Sequence, residues 1–154
     1  FQAQKERTKA RMKTASIIGF LVAVMALIGL GARQSLFGTG PISITVQVIA
    51  VLLMVWARIT FRGRSFHAGA DPTAGGLVTN GPYKYVRHPI YAAVIYFALA
   101  ALGSHFSLLN AGLAVIIIVG LGVRMWAEET LVVPMYPEYR EYAARTRRVI
   151  PFLI

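Results

Sequence analysis

Cysteine is absent from the 154 residues, so no disulfide frames the chain and no thiolate serves as nucleophile or metal ligand. Histidine occurs three times, scattered, and makes no metal site. Acidic residues number six, and charged residues of both signs make up 14 %; a soluble domain carries about a quarter. That shortage excludes an ordinary water-facing surface. The chain also lacks internal repeats and low-complexity segments. What is present is apolar: hydrophobic residues reach 56 % and the mean hydropathy is +0.60. A formal net charge of +10 would suit nucleic acid, but the basic residues cluster beside apolar runs. That pattern belongs to membrane topology and anionic headgroups.

Four apolar segments organise a single domain over 1–154. Segments 14–32 and 41–59 each hold about 19 residues, enough to cross a hydrocarbon core of about 30 Å. The third apolar region, 89–123, would reach roughly 50 Å as one helix and must fold back. Its one polar cluster is "GSHFSLLN", Gly103 to Asn110. The expectation is a tight hairpin of spans 89–104 and 107–123. The expected fold class is therefore an all-α integral membrane protein with four transmembrane helices.

Lys5 to Lys13 precede the first span, Arg58 to Arg87 lie between the second and third, and Arg124 to Arg148 follow the fourth. Of the 16 Lys and Arg residues only Arg33 falls on the opposite side. This bias places both termini and the loop at 60–88 in the cytoplasm. Lys5–Lys13 ahead of an apolar run has the order of a signal peptide, but the run is too long for one. No organelle address is evident, which fits a prokaryotic plasma membrane.

Three polar stretches share the cytoplasmic side. In "GPYKYVRHPIY", residues 81–91, Pro89 suits the first turn of a helix, so the third span is expected to start at His88 or Pro89. Backbone N–H groups at a helix start favour an anion; the plainer reading is an interfacial anchor of Tyr, Arg and Lys. In "RMWAEE", Arg124 and Glu128 are four apart and share a helical face, with Glu129 about 100° away. The plainer reading there is a surface ion pair and a solvated Glu129. In the tail, "PEYREYAARTRRV" reads as a short helix, and its plainer role is to lie on anionic lipid.

Taken in order, "LVTNGPYKYVRHPIY", "RMWAEETL" and "YPEYREYAARTRRVIPF" resemble the isoprenylcysteine carboxyl methyltransferase family, a group of membrane methyltransferases that includes phospholipid N-methyltransferases. The resemblance covers roughly 75–152. It implies S-adenosyl-L-methionine as cofactor, held on the cytoplasmic side between the 60–88 loop and the C-terminal tail. By the same resemblance, Gly76, Leu77, Val78, Tyr83, His88, Pro89, Tyr91 and Glu128 contact the cofactor, and Arg124 faces the carboxylate of the substrate. Ala93 departs from the family, which carries glycine there, and no polar counterpart stands near His67.

A lipidic or prenylated carboxylate acceptor is ionised at neutral pH and needs no base. A phospholipid amine would need one, with Glu129 or His88 as candidates. A third reading, prompted by Ala93, is a non-catalytic membrane subunit that keeps the fold and packs through small residues such as Gly112, Gly120 and Gly122.

Overall fold

The computed structural model describes residues 2–61 and 76–151. All regular elements there are helical. α1 spans Gln2–Ala32, α2 Pro41–Phe61, α3 Pro89–Ser104, α4 Leu108–Val132 and α5 Tyr139–Arg145, with a 3-10 turn at Gly81–Lys84. The basic stretch before the first span is not a separate arm. Its Gln, Lys, Arg, Glu, Met and Ala residues are good helix formers, and the first glycine is Gly19, so α1 runs 31 residues without a break. α2 and α3 each begin on a proline, at the position where a missing N–H costs nothing. α4 is capped by Ser107, whose Oγ accepts from the backbone N–H of Asn110 at 3.1 Å.

α1, α2 and α4 are long and apolar enough to cross a membrane by length and composition. α3 is apolar but has 16 residues, about 24 Å of rise, short of a full hydrocarbon core. The expected segments 14–32, 41–59 and 107–123 lie almost wholly within longer helices, and 89–104 coincides with α3.

The first helix does not pack mainly on the second. α1 packs on α4, α2 packs on α3, and α3 and α4 form the central hairpin. The interior mixes alanine with larger aliphatic residues: Ala23, Ala26 and Leu30 of α1 meet Ile95 and Ala98 of α3 and Ile117 and Leu121 of α4. The tightest approach is glycine on glycine. A Cβ at Gly120 would sit 2.6 Å from the carbonyl oxygen of Gly19, and one at Gly19 would collide with that of Gly120. Gly112 and Gly122, which look equivalent in sequence, have nothing within 4 Å of a Cβ. Large apolar side chains such as Ile42, Leu52, Ile59, Leu109 and Val119 point outward.

At the end away from the 81–91 stretch, polar groups tie the 33–40 connection to the hairpin turn. Arg33 Nε donates to Asn110 Oδ1 at 2.7 Å, and the Thr39 N–H donates to Ser104 Oγ at 3.0 Å. The Gln47 amide bridges the carbonyls of Leu36 and Phe97. The connection therefore crosses over the hairpin and carries the chain from α1 on one flank to α2 on the other.

Candidate active site

The three polar motifs converge where α3 begins and α4 ends. Gly81 adopts φ +56°, and a Cβ there would press on the Thr60 side chain at 2.6 Å, so the turn entering the site suits glycine. Pro82 and Tyr83 are buried, and the Tyr83 ring packs on Phe61 with centroids 5.4 Å apart.

The tail docks against this turn rather than lying free on lipid. Val86 and Arg147 form an isolated parallel β-bridge: the Arg87 and His88 N–H groups donate to the carbonyls of Arg147 and Arg148 at 2.6 and 3.1 Å. Tyr142 Oη donates to the Tyr83 carbonyl at 2.7 Å, and Tyr96 Oη donates to that of Val149 at 2.6 Å. Burial raises the phenols of Tyr83, Tyr139 and Tyr142 well above their ordinary pKa, so all three stay neutral donors.

Two carboxylates organise the centre. Glu129 receives Arg87 Nε at 3.0 Å, His88 Nε2 lies 3.0 Å from it, and Arg148 reaches it through Nε at 3.2 Å and a terminal nitrogen at 3.0 Å. Arg87 also donates to the carbonyls of Ala143 and Thr146 at 2.9 and 2.7 Å. One turn of α4 thus holds the 86–88 segment and the tail together. The plainer reading of a solvated Glu129 does not hold, because its side chain is only 13 % exposed. Its partners lie 19, 41 and 42 positions away, and no local spacing reveals them.

Glu128 faces the other way. Tyr91 Oη donates to it at 2.5 Å, and Arg124 Nε pairs with it at 3.1 Å and with Tyr91 Oη at 2.6 Å. The i,i+4 pair read from the sequence therefore exists, but Arg124 is 5 % exposed and not at a surface. Its guanidinium lies over the Phe20 ring, 4.8 Å from the centroid, and at the hydroxyl end of Tyr91, whose ring centroid is 5.7 Å away. His88 links the carboxylates: its Nδ1 is 3.7 Å from Glu128, and its ring stacks on Tyr91 at 5.7 Å.

Of the residues expected at the site, Tyr83, His88, Pro89, Tyr91, Arg124 and Glu128 are gathered at one end of the bundle. Gly76 stands apart: it is exposed, at φ +85°, with nothing within 4 Å of a Cβ. Leu77 and Val78 are half-buried beside it. Residues 62–75 of the 60–88 loop expected to wall the site, with Arg62, Arg64 and His67, lie outside the described residues. Sequence reasoning did not place Phe20, Arg87 and Arg148 in the site; only Arg87 carried a local signal, its position beside His88. Among the described residues, no group of three or more His, Cys, Asp or Glu side chains could hold a metal ion.

No solved structure matches the chain. A curated relative is the cobalt-zinc-cadmium resistance protein CzcN of Cupriavidus metallidurans, 27 % identical over 123 residues, which cover 73 % of this chain and 51 % of that protein. The chain thus spans about half the length of this relative. Residues 41–134, from the first residue of α2 to just past the end of α4, match the isoprenylcysteine carboxyl methyltransferase (ICMT) family. That match covers more than half of the chain and includes Arg87, His88, Tyr91, Arg124, Glu128 and Glu129, so the chain belongs to the ICMT family.

Proposed function

We propose that the chain is an S-adenosylmethionine-dependent methyltransferase with four membrane spans and cytoplasmic termini, acting on a lipidic or prenylated carboxylate at the inner face of a prokaryotic plasma membrane. The observation that carries the reading is the Glu128–Tyr91–Arg124 array, in which an anionic and a cationic group share one phenol.

The residues present suit the cofactor. Glu128 is the more exposed of the two carboxylates, 22 % against 13 %, and opposes a sulfonium in charge. Bound S-adenosylmethionine would supply an electrophilic methyl on a sulfonium: a methyl–oxygen bond forms, the methyl–sulfur bond breaks, and the electron pair stays on sulfur.

The chain's own residues position and desolvate. Arg124 meets the acceptor carboxylate and sets its approach. Because it also stabilises the ground-state anion, it acts as a positioner and not as an activator. Donor and acceptor charges diminish together in the transition state, so a site shielded from water favours transfer. Glu129 bears on the choice of acceptor. It is committed to Arg87, His88 and Arg148, and the His88 ring is held between the two carboxylates. Neither group is left open as a base, which favours a carboxylate over a phospholipid amine. The metal-resistance name of the relative from Cupriavidus metallidurans gives no acceptor and is not extended to this chain.

The test is purified protein in detergent with labelled S-adenosylmethionine and prenyl-cysteine analogues. Base-labile methyl ester is expected; label in phospholipid headgroups would replace the acceptor, and cofactor binding without turnover would favour the non-catalytic subunit. Arg124→Ala is expected to lower kcat/KM about 100-fold, the size of losing one charge-assisted contact, with S-adenosylhomocysteine affinity changed less. Calorimetry showing equal loss of both would refute the assigned role.

A further inference from the structure

The family match begins at residue 41, so α1 lies outside it. Yet α1 supplies the ring nearest the Arg124 guanidinium, Phe20 at 4.8 Å against 5.7 Å for Tyr91. The glycine contact with Gly120 allows this: a Cβ at Gly19 would also lie 3.4 Å from the Arg124 backbone nitrogen, and Phe20 is the next residue. A second observation on α1 is independent of the ring. Ser16 is fully buried, and its Oγ has no hydrogen-bond partner among the described residues. Ser16 lies three positions before Gly19, on the same helical face. Gly19 meets Gly120 and Arg124 while Ala23 meets Gly120, so α1 and α4 run antiparallel. Ser16 is therefore level with the turn of α4 that carries Arg124 and Glu128. A buried hydroxyl without a partner is unfavourable in an apolar interior, and an incoming polar group would satisfy it.

We infer that α1 completes the acceptor end of the site: Phe20 is a positioning residue that fixes the plane of the Arg124 guanidinium against Tyr91, and Ser16 donates a further hydrogen bond to the acceptor carboxylate. This rests on the carboxylate reading above. A guanidinium presents its donors in its own plane. The Phe20 ring face on one side, with Nε held at its edge by Tyr91 Oη and Glu128, restricts rotation of that plane, so the edge that meets a carboxylate is oriented before the acceptor arrives. Phe20 makes and breaks no bond in the transfer.

The experiment uses the full chain in detergent with S-adenosylmethionine and a prenyl-cysteine analogue. Phe20→Leu keeps apolar volume and removes the ring face. The acceptor KM is expected to rise about ten-fold, with kcat within about two-fold and S-adenosylhomocysteine affinity unchanged. Phe20→Tyr restores the ring and the KM. In an Arg124→Lys background, Phe20→Leu adds nothing further, because its effect passes through the guanidinium. Ser16→Ala raises the acceptor KM about five-fold without lowering thermal stability, since the hydroxyl has no partner to lose. An unchanged KM in Phe20→Leu, an equal rise with Arg124 already replaced, or a destabilised Ser16→Ala with unchanged KM overturns this inference and leaves the methyltransferase reading standing. Absence of turnover by the unaltered protein on every acceptor overturns both.

Discussion

Glu129 shows most clearly how a residue's role depends on partners far away in the chain. Arg124 and Glu128 were readable as a pair because helical geometry makes i and i+4 neighbours whatever the fold. Adjacent Glu129 points elsewhere, and what it meets depends on how α3 and the tail arrive. The Arg87 and Glu129 side chains are 10 % and 13 % exposed, so that ion pair is largely withdrawn from water. Removing one partner from such a pair leaves a charge uncompensated, at a cost of about 3–5 kcal/mol. Glu129→Ala is therefore expected to lower stability by about that amount, whereas Glu138→Ala, an exposed acid without an ion pair among the described residues, shifts it by less than about 0.5 kcal/mol. Thermal unfolding of the two variants in the same detergent checks this; equal midpoints would show that Glu129 is not the keystone of the network.

Among the elements, α1 and the tail depart most from the sequence reading. The tail has aromatic and charged residues in the order of an amphipathic surface helix. However, Tyr139 and Tyr142 are buried, and α5 ends at Arg145, freeing Arg147 to bridge Val86. The docking partner lies about sixty positions earlier, so composition could not distinguish lipid from protein as the cover. The glycines of α4 teach the same lesson. Gly112, Gly120 and Gly122 look alike in sequence, but only Gly120 meets another helix, because a single crossing point brings the α1 and α4 backbones together. Gly120→Leu is expected to force α1 off α4, with a loss of at least about 3 kcal/mol and loss of methyl transfer. Gly112→Ala, with open space around it, should be neutral or gain up to about 1 kcal/mol from helix propensity. Denaturation of both variants in mild detergent separates the cases, and a stable, active Gly120→Leu would contradict the close approach.

For the whole molecule, the arrangement is a central hairpin flanked by α1 on the α4 side and α2 on the α3 side. The α1–α2 connection crosses one end, and the motif residues gather at the other. The predicted orientation puts the motif end in the cytoplasm, and the absence of cysteine makes it directly measurable. Single cysteines at Lys5, Thr39 and Arg145 are expected to divide by sidedness. In intact cells a membrane-impermeant thiol reagent labels Thr39→Cys alone, and the other two react only after lysis. Labelling of Lys5→Cys or Arg145→Cys in intact cells would invert or break the topology.

The membrane class, the helix starts at the two prolines, the hairpin turn and the Arg124–Glu128 pair follow from the sequence by itself. Each depends on local facts: the length of an apolar run, a missing N–H, a spacing of four along a helix. Tertiary structure alone decided that Glu129 is enclosed by Arg87, His88 and Arg148, that the tail bonds to the 85–88 segment, and that Phe20 covers Arg124. Those contacts join residues separated by 19 to 104 positions. Small-residue interfaces bring the helices together, and the distances they set cannot be read from any one segment.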